Sequence, residues 1–265
     1  MKDSPRTALV TGTSSGIGLS TSITLSKAGF NVIATMRDLG KAETLREHAH
    51  NAGVQLEVMQ LNVQDDNSVH EAVNATLERH GRIDVLVNNA GAGHLGTLEQ
   101  TSLEEAKRIM DVNFFGVWRV TQAVLPQMRA QGSGRIISVS SIGGLVGQPF
   151  NDAYCAAKFA LEGAMESLAP VLARFGVAVS LIEPGAVNTA FVANVGGRQH
   201  MTPSESDPYQ ALIAGYLQTV QHAYATANIG QSGEDVAAVI LEAATTERPD
   251  LRYPTSEVAR ARIGL

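Results

Sequence analysis

The sequence predicts a doubly wound α/β fold around a seven-stranded parallel sheet, and three observations carry that reading. Short apolar runs alternate with amphipathic stretches along nearly the whole chain, the rhythm of a sheet whose parallel strands are joined by helices. Several runs, such as Val85-Leu-Val87 and Ile136-Ile137, are apolar at consecutive positions, as strands covered on both faces are. A glycine-rich segment also follows the first run directly and opens the first helical pattern.

In chain order the expected strands are Thr7–Thr11, Asn31–Thr35, Gln55–Gln60, Ile83–Asn88, Gly134–Ser140, Ala178–Glu183 and Leu251–Tyr253. Each is a β-branched or aliphatic run bounded by polar or turn residues. Helical patterns fill the gaps at Gly16–Ala28, Lys41–Ala52, Asn67–His80, Leu103–Arg129, Asp152–Phe175 and Glu234–Thr246. Gly29, Gly53 and Gly81 follow three of them, as left-handed C-caps do. No linker divides the chain, so one domain over 1–265 is expected. The rhythm breaks only at 190–230, which holds Gly196-Gly197, Pro203, Pro208 and a helical pattern at Tyr209–Tyr224. An insertion of that length reads as functional, a wall for the substrate.

Composition narrows the function. The 265 residues carry 44% hydrophobic and 17% charged side chains, a net charge of −6 and no Lys/Arg block, so nucleic acid is a poor partner. The single cysteine, Cys155, excludes an internal disulfide and reads as a small hydrophobe. The seven histidines lack metal-ligand spacing, and His94 alone falls near the expected site mouth. A polar start and the lack of a long apolar run make a soluble, cytoplasmic protein the expectation.

The loop Gly12-Thr-Ser14-Ser15-Gly16-Ile17-Gly18 has the spacing G-x-x-x-G-x-G. Glycines there permit a tight turn, close approach of backbone to a pyrophosphate, and helix-on-strand packing. The helix N-terminus adds free N–H groups and positive dipole. The loop therefore reads as a Rossmann-type dinucleotide site. At the end of the second strand the chain reads Thr35-Met36-Arg37-Asp38. An acid there would hold both ribose hydroxyls, whereas Arg accommodates a 2′-phosphate. Arg37 therefore favours NADP(H) over NAD(H), and Asp38 reads as the opening of the next helix.

Four further segments complete the pattern: Asn88-Asn89-Ala90-Gly91, Asn113, Ser140-Ser141 and Tyr154-x-x-x-Lys158, followed by Pro184-Gly185. Together with the glycine loop they resemble the short-chain dehydrogenase/reductase family from Thr7 to about Glu242. Tyr154 and Lys158, four apart, share a helical face. An ammonium near a phenol, together with an oxidised nicotinamide, is expected to lower its pKa from about 10 towards the working range.

The resemblance implies that Tyr154 exchanges a proton with the carbonyl or alcohol oxygen and that Ser141 hydrogen-bonds the same oxygen. It also implies that Lys158 holds the nicotinamide ribose and that Asn113 positions a water. Ser140 competes with Ser141, whose thirteen-residue offset from Tyr154 fits the family better. By the same resemblance Asn88, Asn89, Ala90, Gly91, Pro184, Gly185, Val187 and Thr189 face the cofactor, with Asn62 and Val63 beside its adenine. Asn62 stands where the family usually has Asp, and Ser15 where many NADP(H) members have a basic residue, which leaves Arg37 as the main phosphate contact.

The wording of Ser141–Gly147, Pro149–Cys155 and Lys158–Gly163 is closest to the hydroxysteroid and retinol dehydrogenase branch, which implies a lipophilic alcohol or ketone. Leu145, Val146, Phe150, Phe191, Val192, Leu212, Ile213, Tyr216 and Leu217 offer an apolar wall. A ketoacyl or biosynthetic ketone reductase and a non-catalytic dinucleotide sensor are the alternatives. Apolar stripes on Leu103–Arg129 and Asp152–Phe175 suggest a homodimer or homotetramer, as family members commonly form.

Overall fold

The computed structural model describes residues 5–187, 207–226 and 230–263. Its seven strands are β1 (Thr7–Thr11), β2 (Asn31–Met36), β3 (Glu57–Gln60), β4 (Val85–Asn88), β5 (Gly134–Val139), β6 (Val177–Glu183) and β7 (Arg252–Pro254). They form one sheet in the order β3-β2-β1-β4-β5-β6-β7, with every neighbouring pair parallel. The chain builds outward from β1 to β3, then restarts on the other side of β1 with β4. That reversal opens a crevice at the C-terminal ends of β1 and β4, where ligands bind in such sheets.

The flanking helices are α1 (Gly16–Lys27), α2 (Ala42–Asn51), α3 (Asp66–His80), α4 (Leu103–Met110), α5 (Gly116–Gln131), α6 (Asp152–Ala173), α7 (Gln210–Thr226), α8 (Gly233–Thr245) and α9 (Glu257–Ile263). Successive strand residues face opposite sides, and each side has its own core. Ala8, Val10, Val32 and Ile137 pack with Leu19, Leu25 and Ile240 on one face. Leu9, Ile33, Leu86 and Ile136 pack with Val120, Leu161 and Met165 on the other. Start signals explain several helix ends. Asp65 accepts from Ser68 N at 3.1 Å ahead of α3, and Ser232 and Asp235 form a reciprocal capping box at α8.

Three differences from the sequence reading have local causes. The expected helix Leu103–Arg129 is split by a π-helical turn, Asp111–Phe115, which absorbs one extra residue. The fully buried Asn113 in that turn bonds the backbone of Ala92, so the turn is anchored from the β4 side. Asp38 caps a short 3-10 turn, Leu39–Lys41, by accepting from Gly40 N at 2.9 Å, and α2 starts only after it. The helix α9 was not expected, although Ser256 accepts from Ala259 N at 3.1 Å as an N-cap does. No described helix is long and apolar enough to cross a membrane.

Leu86 lies fully buried on the central strand β4. Leu86→Ala is expected to cost about 2–5 kcal/mol of stability, read from the urea midpoint; a loss below ~1 kcal/mol would contradict the described core.

Candidate active site

The crevice is closed at its floor by hydrogen bonds between the loops that leave β1 and β4. Thr11 Oγ1 accepts from Asn89 N at 3.0 Å and from Ala90 N at 3.1 Å. Asn89 Nδ2 donates to Thr11 O at 2.9 Å and to Gly12 O at 3.0 Å. The glycines fit this contact tightly. A Cβ on Gly12, at φ +71°, would lie 2.7 Å from Ala90 Cα, and one on Gly18 would lie 2.3 Å from Gly12 O. Neither position tolerates a side chain. Ser15, at the N-cap position of α1, is exposed and its side chain makes no cap hydrogen bond. The first turn of α1 thus presents N–H groups without a side-chain cap, as an anion site requires.

The other expected cofactor positions surround this loop. Arg37 is exposed at the end of β2, while Met36 beside it is buried and Asp38 is spent on its cap. Asn62 Oδ1 accepts from Gln64 N at 3.3 Å, and Val63 packs on Gly116 of α5. Gly91 sits under Asn113 Oδ1, 2.9 Å from where its Cβ would be. Pro184 O accepts from Ile142 N at 2.9 Å, and Val187 is buried. These residues lie at the C-terminal edge of the sheet, on the side of the glycine cradle. Thr189, Phe191 and Val192 lie outside the described residues, as does part of the expected insertion at 190–230.

Tyr154 and Lys158 stand on the buried face of α6, only 9% and 5% exposed. Lys158 Nζ lies 5.8 Å from the centre of the Tyr154 ring and donates to Val139 O at 2.8 Å. Ser141, just past β5, accepts from Gly143 N at 3.0 Å and hydrogen-bonds the Tyr154 phenol. Ser140 points the other way, towards Glu162. That separation favours Ser141 as the partner of the tyrosine.

Burial dominates the electrostatics of the chain's own groups. Burial pushes the Tyr154 phenol up to about 12, with the Ser141 hydrogen bond pulling the other way. Burial lowers Lys158 to about 8, partly offset by Glu162. Desolvation is the largest influence on the phenol of the chain by itself and outweighs the Ser141 hydrogen bond. Asn113 is held by three bonds of its own side chain. Its Nδ2 donates to Ala92 O at 2.9 Å and to Ile109 O at 3.0 Å, and its Oδ1 accepts from Ala92 N at 3.2 Å. With those atoms engaged, the side chain anchors the strand-β4 turn. His94 is turned inwards, with Nε2 2.9 Å from Thr101 Oγ1, and burial lowers its pKa.

Phe150 and Tyr216, expected in the apolar wall, meet in the fold, whereas the bonds of Glu99, Gln100 and Asp207 gave no sequence signal. Phe150 is the only described non-glycine residue at positive φ, +61°, and its ring meets Tyr216 of α7 edge-on at 5.3 Å. Tyr209 Oη donates to Glu99 Oε2 at 2.6 Å and Gln100 Nε2 to Asp207 Oδ2 at 2.8 Å. These bonds fix the start of α7 over the loop that follows β4. Only the pairing of distant residues in the fold reveals them.

The short chain dehydrogenase family model matches residues 6–200, nearly three quarters of the chain. The chain belongs to the short-chain dehydrogenase/reductase family. It is 42% identical to retinol dehydrogenase 8 of Bos taurus, over 97% of this chain and 83% of that protein. It is 43% identical to human 17-beta-hydroxysteroid dehydrogenase type 1, over 94% of this chain and 77% of that one. A crystal structure of an actinorhodin polyketide ketoreductase with NADPH superposes with a TM-score of 0.82 at 29% identity, covering 94% of this chain and 95% of that one. The chain is therefore an oxidoreductase, on a Rossmann-type fold, of the hydroxysteroid/retinol branch.

Lys158 permits a stability test. Its folded pKa, about 8, lies below the ordinary 10.5, so between those values the unfolded chain binds more protons and stability rises with pH. Below that window the buried ammonium burdens the fold. Lys158→Met is expected to raise stability by on the order of 1 kcal/mol, less the lost bond to Val139 O, read by calorimetry at neutral pH. A lower melting temperature would contradict it.

Proposed function

We propose that the chain is an NADP(H)-dependent oxidoreductase that interconverts a ketone or aldehyde and the matching alcohol on a lipophilic substrate. The single observation that carries this reading is the convergence of Tyr154, Ser141 and Lys158 at the ends of β5 and α6, beside the Gly12–Gly18 cradle. NADP(H), when bound, supplies the hydride and, in its oxidised form, a positive ring. Gly12, Ser14, Ser15, Gly16, Ile17 and Gly18 hold the pyrophosphate on the first turn of α1. Arg37 takes the 2′-phosphate. Asn62 and Val63 lie on the adenine side, with Asn89, Ala90 and Gly91 along the floor and Pro184, Gly185 and Val187 on the nicotinamide side. The NADPH in the ketoreductase structure supports the cofactor class.

With the phenol at about 12, Tyr154 is protonated at neutral pH and serves as the acid in reduction. Its proton passes to the carbonyl oxygen, which Ser141 holds by a hydrogen bond. Lys158, an ammonium below about pH 8, stabilises the phenolate that Tyr154 becomes and takes the ribose hydroxyls. Asn113 keeps the β4 turn and the π-helical turn in register and places water for proton return. In the oxidation direction the same groups run in reverse.

The substrate class follows from the branch and from α7. Phe150, just ahead of α6, and Tyr216 of α7 supply a paired aromatic surface, and 190–230 acts as the substrate-side insertion of a single domain over 1–265. Exposed Phe115 and Trp118 near the start of α5, with exposed Phe159 on α6, supply surface for a homodimer or homotetramer. The identity to retinol and hydroxysteroid dehydrogenases exceeds that to the ketoreductase, which favours a retinoid- or steroid-like substrate over an acyl ketone.

Tyr154→Phe is expected to bind NADPH normally while turnover falls by roughly 10²–10⁴-fold, measured by NADPH absorbance over steroids, retinoids and acyl ketones. A nearly unaffected rate would reject the mechanism. Arg37→Asp is expected to weaken NADPH binding far more than NADH binding in fluorescence titrations. Equal losses for both would remove the NADP(H) preference.

A further inference from the structure

Along α6 the side chains Tyr154, Lys158, Glu162 and Glu166 follow one another at intervals of four, so they stack on one helical face. The first three are buried and only the last is exposed. Glutamate is seldom buried this completely unless a cation holds it. Here Arg252 of β7 reaches Glu162 Oε2 at 2.5 Å, Glu183 Oε1 of β6 at 2.7 Å and Glu166 Oε2 at 3.0 Å. Ser140 faces Glu162 from the end of β5. Gly144 completes the packing, since a Cβ there would lie 2.9 Å from Ser140 Oγ, 3.0 Å from Glu162 Cγ and 3.1 Å from Lys158 O.

A merely architectural clamp does not require Glu162. Arg252 bonded to Glu183 already joins the buried ends of β6 and β7, and Glu166 closes it from the surface. Burying a further carboxylate is a burden on the fold unless its charge acts on a neighbour. The neighbour on the same face is Lys158, one helical turn away, which also lies against the Tyr154 ring and donates to the Val139 carbonyl. Two cations, the buried Lys158 and the half-buried Arg252, stand against two buried anions, Glu162 and Glu183.

We propose that Glu162 is a positioning residue for the reaction: clamped by Arg252, its carboxylate keeps Lys158 an ammonium behind Tyr154. The role rests on the Tyr154/Lys158 reading above and extends it one helical turn further from the substrate. Arg252 acts at second remove by keeping Glu162 ionised against the burial that raises its pKa.

The test is a ¹³C NMR titration of the full chain labelled at lysine Cε, without cofactor or substrate. The chain has five lysines, and Lys158→Met assigns the resonance. Glu162→Gln is expected to move the Lys158 titration to lower pH by about one pH unit, a tenfold smaller ammonium-to-amine ratio at a given pH. Glu162→Asp, which keeps the charge, is expected to stay near the parent chain. An unmoved Lys158 titration in folded Glu162→Gln would overturn the proposal. Should that variant fail to fold, the coupling is read from the other side. Lys158→Met is then expected to raise the titration of the Glu162 carboxyl, and an unmoved carboxyl overturns it equally. Unaltered turnover in Tyr154→Phe would instead remove the underlying reading and leave these titrations as they are.

Discussion

The structure depends first on the hydrogen bonds that tie the loop after β1 to the loop after β4. Parallel strands that part at a topological switch leave backbone groups at their C-terminal ends without a neighbouring strand. Thr11 and Asn89 satisfy those groups across the gap. The same bonds bring Gly12 against Ala90 and Gly18 against Gly12, so the cradle is rigid at the point where a pyrophosphate is proposed to lie. Asn113 continues the tie from Ala92 into the π-helical turn between α4 and α5. A line of backbone contacts thus runs from β1 through β4 to the helix pair beside the site.

A second organising element is α6. One helical face carries a phenol, an ammonium and a carboxylate in sequence, and all three are taken out of water. Burial raises the first and third and lowers the second, so each neutral form is favoured by solvent exclusion alone. What keeps charge in this row is the arrangement of partners around it: a backbone carbonyl on Lys158 and Arg252 on Glu162. Local propensity plays little part. The sheet positions those partners, since Val139 belongs to β5 and Arg252 to β7.

Much of this was legible in the sequence. Consecutive apolar residues marked the strands, glycine after strand one marked the cradle, and intervals of four placed Tyr154 and Lys158 together. Strand limits shifted by only a few residues, as at β7, which runs Arg252–Pro254. The unreadable parts share a cause, which is tertiary contact. The break inside Leu103–Arg129 arises because Asn113 reaches Ala92, far away in the chain. The raised Tyr154 arises because burial outweighs the Ser141 hydrogen bond, and spacing carries no information on burial. Glu162, Glu183 and Arg252 are scattered along the chain and meet only once β6 and β7 pair.

Ser140 and Ser141 point to opposite sides of an extended backbone, one to Glu162 and one to Tyr154. Their order is set where Ser140 N donates to Ile182 O at 2.7 Å, a continuation of the β5–β6 ladder. A slip of one residue in that ladder would exchange the two hydroxyls, leaving the composition of the site intact and its wiring reversed. Alignment of the phenol's partner is therefore inherited from strand pairing at the middle of the molecule. Substitutions that loosen β5 against β6, even at positions distant from Tyr154, would act as errors of orientation before they acted as losses of stability.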